Sequence, residues 1–299
     1  MKYLFIIQGE GRGHLTQAMT MERLLVSRGH QVVGMLVGKS ESRILPAFFT
    51  QGVSAPITYF ESVNFVSAAS DKRPDALKSV LFNIAISPKF IPSISLIRSN
   101  IKDSGADVVY SAIIGDSNTA FYKDYQQYGL SADTVPICSI SIDESNLQAI
   151  GNDYSEGHYA SMPYWSSLDT EASKAFVDKY NSLFNDGTVV TVLTEATYDS
   201  CYLLKSALEK VEDPSDTDAL INAFAGVTFD APQGTIKVDD SNHCTWVYSR
   251  FGKIHDGTVD ILYSTDEALR PEPWPSVLYP EYKDSNFMPA WDDPLCYPQ

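Results

Sequence analysis

"KYLFIIQGEGRGHLTQAMTMERLLVSRGHQVVGMLVG", residues 2–38, reads as strand, glycine turn, helix and strand. The run 2–8 is apolar and bounded by glycine, the pattern of a buried strand. From 15 onward apolar residues recur at helical spacing and stop at Gly29, a C-cap signal. A second apolar run covers 30–38, and "APITYF" (55–60) supplies a third strand. A strand–helix–strand opening implies parallel pairing through a right-handed crossover, and so an α/β fold.

The alternation continues outward. Helical patterns cover about 74–86 and 93–105, and "ADVVYSAII" (106–114) is a buried strand. "SNTAFYKDYQQYGL" (117–130) is a helix and "VPICSISI" (135–142) a strand, followed by "HYASMPYW" (158–165) as another. Helices follow at 170–184 and 194–211, and a short one after Asp216, whose side chain suits an N-cap. From 227 to 264 apolar and polar residues alternate, with turns at "APQG", "DDSN" and "HDG", which predicts an antiparallel meander. Asp239, Asp240 and His243 are expected to be solvated in the middle turn. The Pro-rich aromatic tail from 271 to 299 is expected to be extended or loose. The parallel strands are placed at 3–8, 31–37, 107–113 and 136–142, with the antiparallel patch at 227–263.

The chain has 299 residues, 44% hydrophobic, and a formal net charge of −16. Phosphate binding requires excess Lys and Arg, so nucleic acid is an unfavourable partner. The charge is uneven: residues 1–106 hold 12 basic and 7 acidic side chains, leaving 10 basic and 31 acidic for the rest. Such a change of sign suggests two segments of different origin. Cys138, Cys201, Cys244 and Cys296 have no metal-like spacing, and Cys138 and Cys201 read as buried free thiols. His158, His243 and His255 lie far apart, so no metal and no cofactor is expected. The N-terminal run is too short for a secretory signal, and no apolar run approaches the ~20 residues of a membrane span. The expectation is a cytoplasmic chain without membrane insertion.

Gly9, Gly11 and Gly13 separate the first strand from its helix. Glycines admit close approach of a ligand to the backbone, and the following helix offers free N–H groups. The spacing G-x-G-x-G-H is not that of dinucleotide folds, and no acidic residue ends the second strand. His14 has an ordinary pKa suited to deprotonating a hydroxyl. It reads equally as a cap or a bond to a neighbouring loop.

On "QGEGRGH", "APITYFESVNF" and "DKRPDALKSVLFN", residues 1 to about 107 resemble the N-terminal domain of bacterial glycosyltransferases with two Rossmann domains. That resemblance implies acceptor binding near Gly11 and Gly13, with His14 as base. The second glycine-rich donor loop such enzymes carry is not found after residue 120.

From "GADVVYSAIIGDSNTAFYKDYQQYGL" onward the text changes. "PICSISIDESNL", "TEATYDSCYLLKSALEKV", "FDAPQGTIKVDDSNHCTWVYSRFGKI" and "STDEALRPEPWP" resemble the C-terminal half of amide- and urea-binding proteins of the type I periplasmic-binding-protein family. That resemblance implies two α/β lobes with a small polar ligand between them, and members that are often periplasmic. The implied polar contacts are Asp116, Ser117 and Ser141, with Glu195, Tyr159, Tyr164 and Tyr198 as further cleft residues. Asp116 and Ser117 equally suit a helix cap, and the tyrosines suit a core.

The expected fold is therefore α/β, with Rossmann-like parallel sheet flanked by helices, two lobes and a C-terminal antiparallel meander. The expected segments are 1–106, 107–270 and 271–299. Three functions follow: non-catalytic binding of a short amide or urea, sugar transfer without a donor domain, or a composite fold with no evolved ligand.

Overall fold

The first strand sits between two parallel neighbours, which is why four successive residues of it, Leu4 to Ile7, are buried. Strand β1 (Lys2–Gln8) pairs with β2 (Gln31–Lys39), Tyr3 beside Val32 and Ile7 beside Val37. Helix α1 (Arg12–Ser27) makes the crossover. After α2 (Ala47–Gly52), strand β3 (Ile57–Glu61) pairs parallel to β2. Helices α3 (Ala76–Ile86) and α4 (Phe90–Asp103) lead to β4 (Val108–Ala112), which lies parallel on the other side of β1. A strand covered on both faces needs no alternation, hence "YLFII" and "VVYSA". The computed structural model describes residues 1–9, 11–40, 44–62, 76–86, 88, 90–184 and 186–282.

The chain forms two compact units, the first holding Met1–Ile114 and Gln127–Ile137, the second Gly115–Gln126 and the residues from Cys138. In the first the strand order is β3-β2-β1-β4, so sheet growth reverses between β1 and β4. The stretch "SGADVV", where two segments of different origin were expected to meet, is tightly tied. The Asp107 carboxylate accepts the Lys2 N–H at 2.7 Å, and the Asp107 N–H donates to the Lys2 carbonyl at 2.8 Å. Gly105 makes the turn at φ +61°, a conformation few other residues adopt cheaply.

Helix α1 buries Leu15, Ala18, Met19 and Glu22, an inward stripe at helical spacing. Glu22 is only 2% exposed. Its carboxylate accepts the N–H groups of Ser54 (3.1 and 3.2 Å) and Ala55 (2.8 Å), fastening the approach to β3.

In the second unit α5 (Ser117–Gln127) and β5 (Ile137–Ser139) are followed by α6 (Glu144–Ile150) and α7 (Asn152–Ser155). Strand β6 (Tyr159–Met162) runs parallel to β5. Then come α8 (Glu171–Leu183), α9 (Val192–Leu208) and α10 (Thr217–Phe224), with Asp216 capping α10 as expected. The strand expected at 136–142 stops at Ser139, because Asp143 is drawn into a reciprocal cap with Asn146 at the start of α6. The two short helices after it were not anticipated.

The expected single meander is two structures. Strands β7 (Thr228–Ala231), β8 (Gly234–Val238) and β9 (Thr245–Trp246) form a small antiparallel sheet. Strands β10 (Arg250–His255) and β11 (Thr258–Ser264) form a hairpin whose first strand pairs antiparallel to β6. Gly252 permits this, since a Cβ there would lie 2.2 Å from the Asp260 carbonyl oxygen. A core of Leu203, Ala207, Val227, Ala231, Ile236 and Val238 joins α9 to the small sheet.

Two expectations about exposure are corrected. Asp239 is buried, not solvated, and accepts bonds from Ser241, Asn242, Trp246 and Arg270. Its turn is closed by that carboxylate, which "DDSN" alone does not reveal. Cys201 is exposed on α9, on the face away from Asp199 and Leu203, while Cys138 is half-buried and its thiol is pushed up to about 11 by burial. Cys296 lies outside the described residues.

Among the described residues no helix is long and apolar enough to cross a membrane. Replacing Glu22 with Ala leaves two N–H groups without their acceptor and is expected to cost about 2–3 kcal/mol in urea unfolding. A change below about 0.5 kcal/mol would show that water replaces the carboxylate at no loss.

Candidate functional site

The sequence-predicted residues fall into two groups. Gly11, Gly13 and His14 belong to the first unit; Asp116, Ser117, Ser141 and Glu195 belong to the second.

In the first group, Gly11 is the N-cap of α1, with extended backbone and no side chain to cap the helix. Gly13 lies in the first turn, and a Cβ there would meet nothing within 4 Å. His14 is half-buried, and its Nδ1 pairs with Gln17 Oε1 at 3.2 Å, one turn along the same helix. The first turn of α1 is therefore uncrowded at Gly13.

In the second group, the carboxyl ends of successive strands converge. Asp116 and Ser117 are exposed at the start of α5, after Gly115 at φ +61°. Asn118, which the sequence reading missed, is fully buried. Its Nδ2 donates to the Ser141 carbonyl at 3.2 Å and so holds the start of α5 against the turn after β5. Ser117 and Ser141 are thereby brought to one end of the unit. Asp143 Oδ1 accepts the Ser145 hydroxyl (2.6 Å) and the Asn146 N–H (3.1 Å). Glu144, almost wholly buried, accepts the Ser166 N–H at 2.6 Å, which fixes the loop after β6. Burial raises the Glu144 carboxyl above its ordinary range.

Beneath this rim lies a buried polar group. Glu195 is 0% exposed and Asp199, one turn later on α9, is 4% exposed. Gln233 donates its side-chain N–H groups to Glu195 Oε1 (3.1 Å), Glu195 Oε2 (3.0 Å) and Asp199 Oδ2 (3.3 Å). The guanidinium of Arg250 donates to the carbonyls of Gln233 and Pro163. Glu195 therefore faces protein, not solvent. Burial pushes its carboxyl up to about 8, helped by the neighbouring Asp199, whose own carboxyl is pushed up to about 6 by burial. Two carboxylates this close and this dry do not both ionise near neutral pH. The pair shares a proton, and the Arg250 guanidinium lies near enough to feel the Glu195 charge.

The tyrosines are packing residues. Tyr164 is buried and bonds Ser173 at 2.9 Å, Tyr159 stacks on Phe251, and Tyr198 packs on Phe176. The sequence reading missed Asp199, Gln233 and Arg250. Their signal was present: Asp199 follows Glu195 by four residues on one helical stripe, and strand alternation puts Arg250 on the face of buried Gly252 and Ile254.

A family model described as "Periplasmic binding protein domain" matches residues 93–280. A solute-binding protein of an ABC transporter from Rhodopseudomonas palustris BisB5, in complex with 3,4-dihydroxybenzoic acid, superposes with TM-score 0.58 at 19% identity, covering 86% of this chain and 66% of that one. A second R. palustris solute-binding protein, in complex with benzoate, gives TM-score 0.62 at 18% identity, over 91% and 60% of the two chains. A leucine-binding protein from Thermotoga maritima gives 0.59 at 14% identity, over 88% and 60%. Among curated proteins, limonene hydroxylase of Geobacillus stearothermophilus is 26% identical over 125 residues, 42% of this chain and 23% of the relative. The chain thus spans 60–66% of the length of these three solved structures, and 23% of the curated relative. Coverage of 91% of this chain takes in most of residues 1–106, and nothing in these comparisons points to a glycosyltransferase component.

The carboxyl pair gives a pH dependence. Both groups have raised folded values, so the folded state holds protons that the unfolded chain releases, and stability falls as pH rises toward 8. His158 acts oppositely: burial lowers it to about 4, so stability is lost as pH falls below 6.5. Between about pH 7 and 8 His158 is mostly neutral in both states, and the contribution of Glu195 is read by difference from a variant that lacks it. In that window the wild-type melting temperature is expected to fall more than that of Glu195→Gln, by about 2 °C or more. Parallel slopes would mean that the pair ionises without cost.

Proposed function

Because the chain belongs to the periplasmic binding protein domain family, we propose that it binds a small neutral solute, a short amide or urea, without chemistry. The observation that carries this reading is the bond from Asn118 Nδ2 to the Ser141 carbonyl, which holds the start of α5, with Asp116 and Ser117, against the turn after β5. Hydroxyls and one acid offer both acceptors and donors, which suits a group with an N–H and a C=O side by side. An anion is less well served there. The nearby Lys123 is turned to the Ala149 carbonyl at 3.5 Å and to the Tyr154 ring, and the Arg250 guanidinium is committed to two carbonyls. Topology supports the same end of the sheet, since open α/β sheets bind ligands beyond the carboxyl ends of their strands. The solved relatives that hold benzoate or dihydroxybenzoate support small-solute binding and supply the competing ligand class.

The test is a calorimetric and thermal-shift titration with acetamide, benzoate and a nucleotide-sugar. Acetamide at a hundredfold excess over its dissociation constant is expected to stabilise the protein by about 2.7 kcal/mol. Ser141→Ala, which removes one hydroxyl, is expected to weaken acetamide about fivefold without lowering the melting temperature. Binding of benzoate alone would overturn the amide class, and binding of neither would overturn solute binding at this rim. A response to the nucleotide-sugar alone would return attention to His14.

A further inference from the structure

The first unit contains a cleft of about 260 Å³ that the reading above does not use. It lies between the sheet and the last turn of α4, toward the amino ends of β1 and β3. That is the end of the sheet away from the glycine turn and His14.

Leu4, Gly34 and Leu36 underlie the cleft and are themselves buried, and its accessible apolar edge is Val33 and Pro56. Gly34 keeps the floor low: a Cβ there would already stand 3.2 Å from Leu4 Cδ1. Its helix wall is polar, lined by Ser99, Asn100, Asp103 and Ser104.

The hydrogen-bond inventory of that wall is lopsided. Ser99 donates its hydroxyl to the Leu96 carbonyl at 3.1 Å, and Ser104 donates to the Ile101 carbonyl at 3.1 Å. Asn100 spends an amide N–H on the Leu96 carbonyl at 2.8 Å, and its carbonyl oxygen remains an acceptor. Asp103 makes no ion pair among the described residues. The wall therefore presents acceptors, Asp103 and Asn100 Oδ1, and few donors. It is also the C-terminal end of a 14-residue helix, where the backbone favours a positive charge. Lys102 adjoins Asp103 in sequence but does not line the cleft, and Lys2 stands beside Gly105.

We propose that this cleft binds a small organic ammonium, its N–H groups on Asp103 and Asn100 and its apolar body against Val33 and Pro56. The volume is below the roughly 300 Å³ at which pockets for drug-sized ligands begin, so the ligand is a single ring or a short alkyl chain. This site is independent of the rim at Ser117 and Ser141.

The test uses the full chain with benzylammonium, set against benzyl alcohol, which keeps the ring and loses the charge, and benzoate, which reverses the charge. Benzylammonium is expected to bind at least tenfold more tightly than benzyl alcohol. Asp103→Asn is expected to lose about tenfold, and Ser99→Phe, at an exposed position, to block binding by filling the cleft from the helix side. Both positions are at the surface, so the variants are expected to keep the wild-type melting temperature. Ser141→Ala is expected to leave benzylammonium binding unchanged, which separates this site from the amide rim. The absence of benzylammonium binding, or equal affinity in wild type and Asp103→Asn, would overturn the proposal. The second outcome would mean that the cation is held without help from the Asp103 charge, and so not at this site.

Discussion

Gln233 is the joint of the second unit. Its side-chain amide holds Glu195 and Asp199 of α9, its backbone carbonyl receives Arg250 of β10, and its Oε1 accepts the Tyr248 N–H at 3.3 Å. Arg250 extends the link to the Pro163 carbonyl beyond β6. One residue in the turn between β7 and β8 thus ties the small sheet, the long helix and the hairpin strand together. Apolar burial alone does not give that registration, because the contacts of Leu203, Ile236 and Val238 are non-directional.

The arrangement is stable only if its charges cancel. A lone buried carboxylate is costly, and a pair of them more so. The shared proton on Glu195 and Asp199 removes one charge, and Arg250 answers the other. Two polar atoms nevertheless stay without a protein partner among the described residues, Asp199 Oδ1 and Arg250 Nε. A network left partly unsatisfied in a dry interior is a weak point. The loss of stability as pH rises from 7 toward 8 is accordingly expected to draw on this pair more than on the many exposed acids, which water and salt already screen.

Much of the architecture was legible because local pattern and tertiary demand agree. The parallel strands of the first unit, α1 and the Asp216 cap all follow from apolar runs, glycine stops and a capping residue. The misreadings share one cause, which is that they depend on partners distant in sequence. The split of the meander is decided by β6 accepting β10 across nearly ninety residues. The burial of Asp239 is decided in part by Arg270. Cys201 was placed inside because its helix is apolar, but the inward stripe is set by Glu195, Asp199 and Leu203, so the thiol faces out. For the candidate rim, Ser117 and Ser141 were read as polar residues at strand ends, whereas Asn118, whose side chain bonds the Ser141 carbonyl, looks like any helix residue.

The glycine turn shows how fold grammar resembles chemistry. Gly9 is demanded by packing: a Cβ there would lie 2.7 Å from the Gly38 carbonyl oxygen, the same oxygen that accepts its N–H at 2.7 Å. That constraint belongs to any parallel pair approaching so closely, whatever the protein does. Gly13 meets no such wall, and His14 turns to Gln17. The motif that suggested a transferase is thus explained in part by the sheet and in part by an open helix start, and neither implies a nucleotide-sugar. A family match from 93 to 280 begins before β4 and runs through Asp107 without a break, as do the hydrogen bonds that tie Asp107 to Lys2. The change of charge near residue 106 therefore falls inside a stretch that one family covers, and it does not require two proteins to have met there.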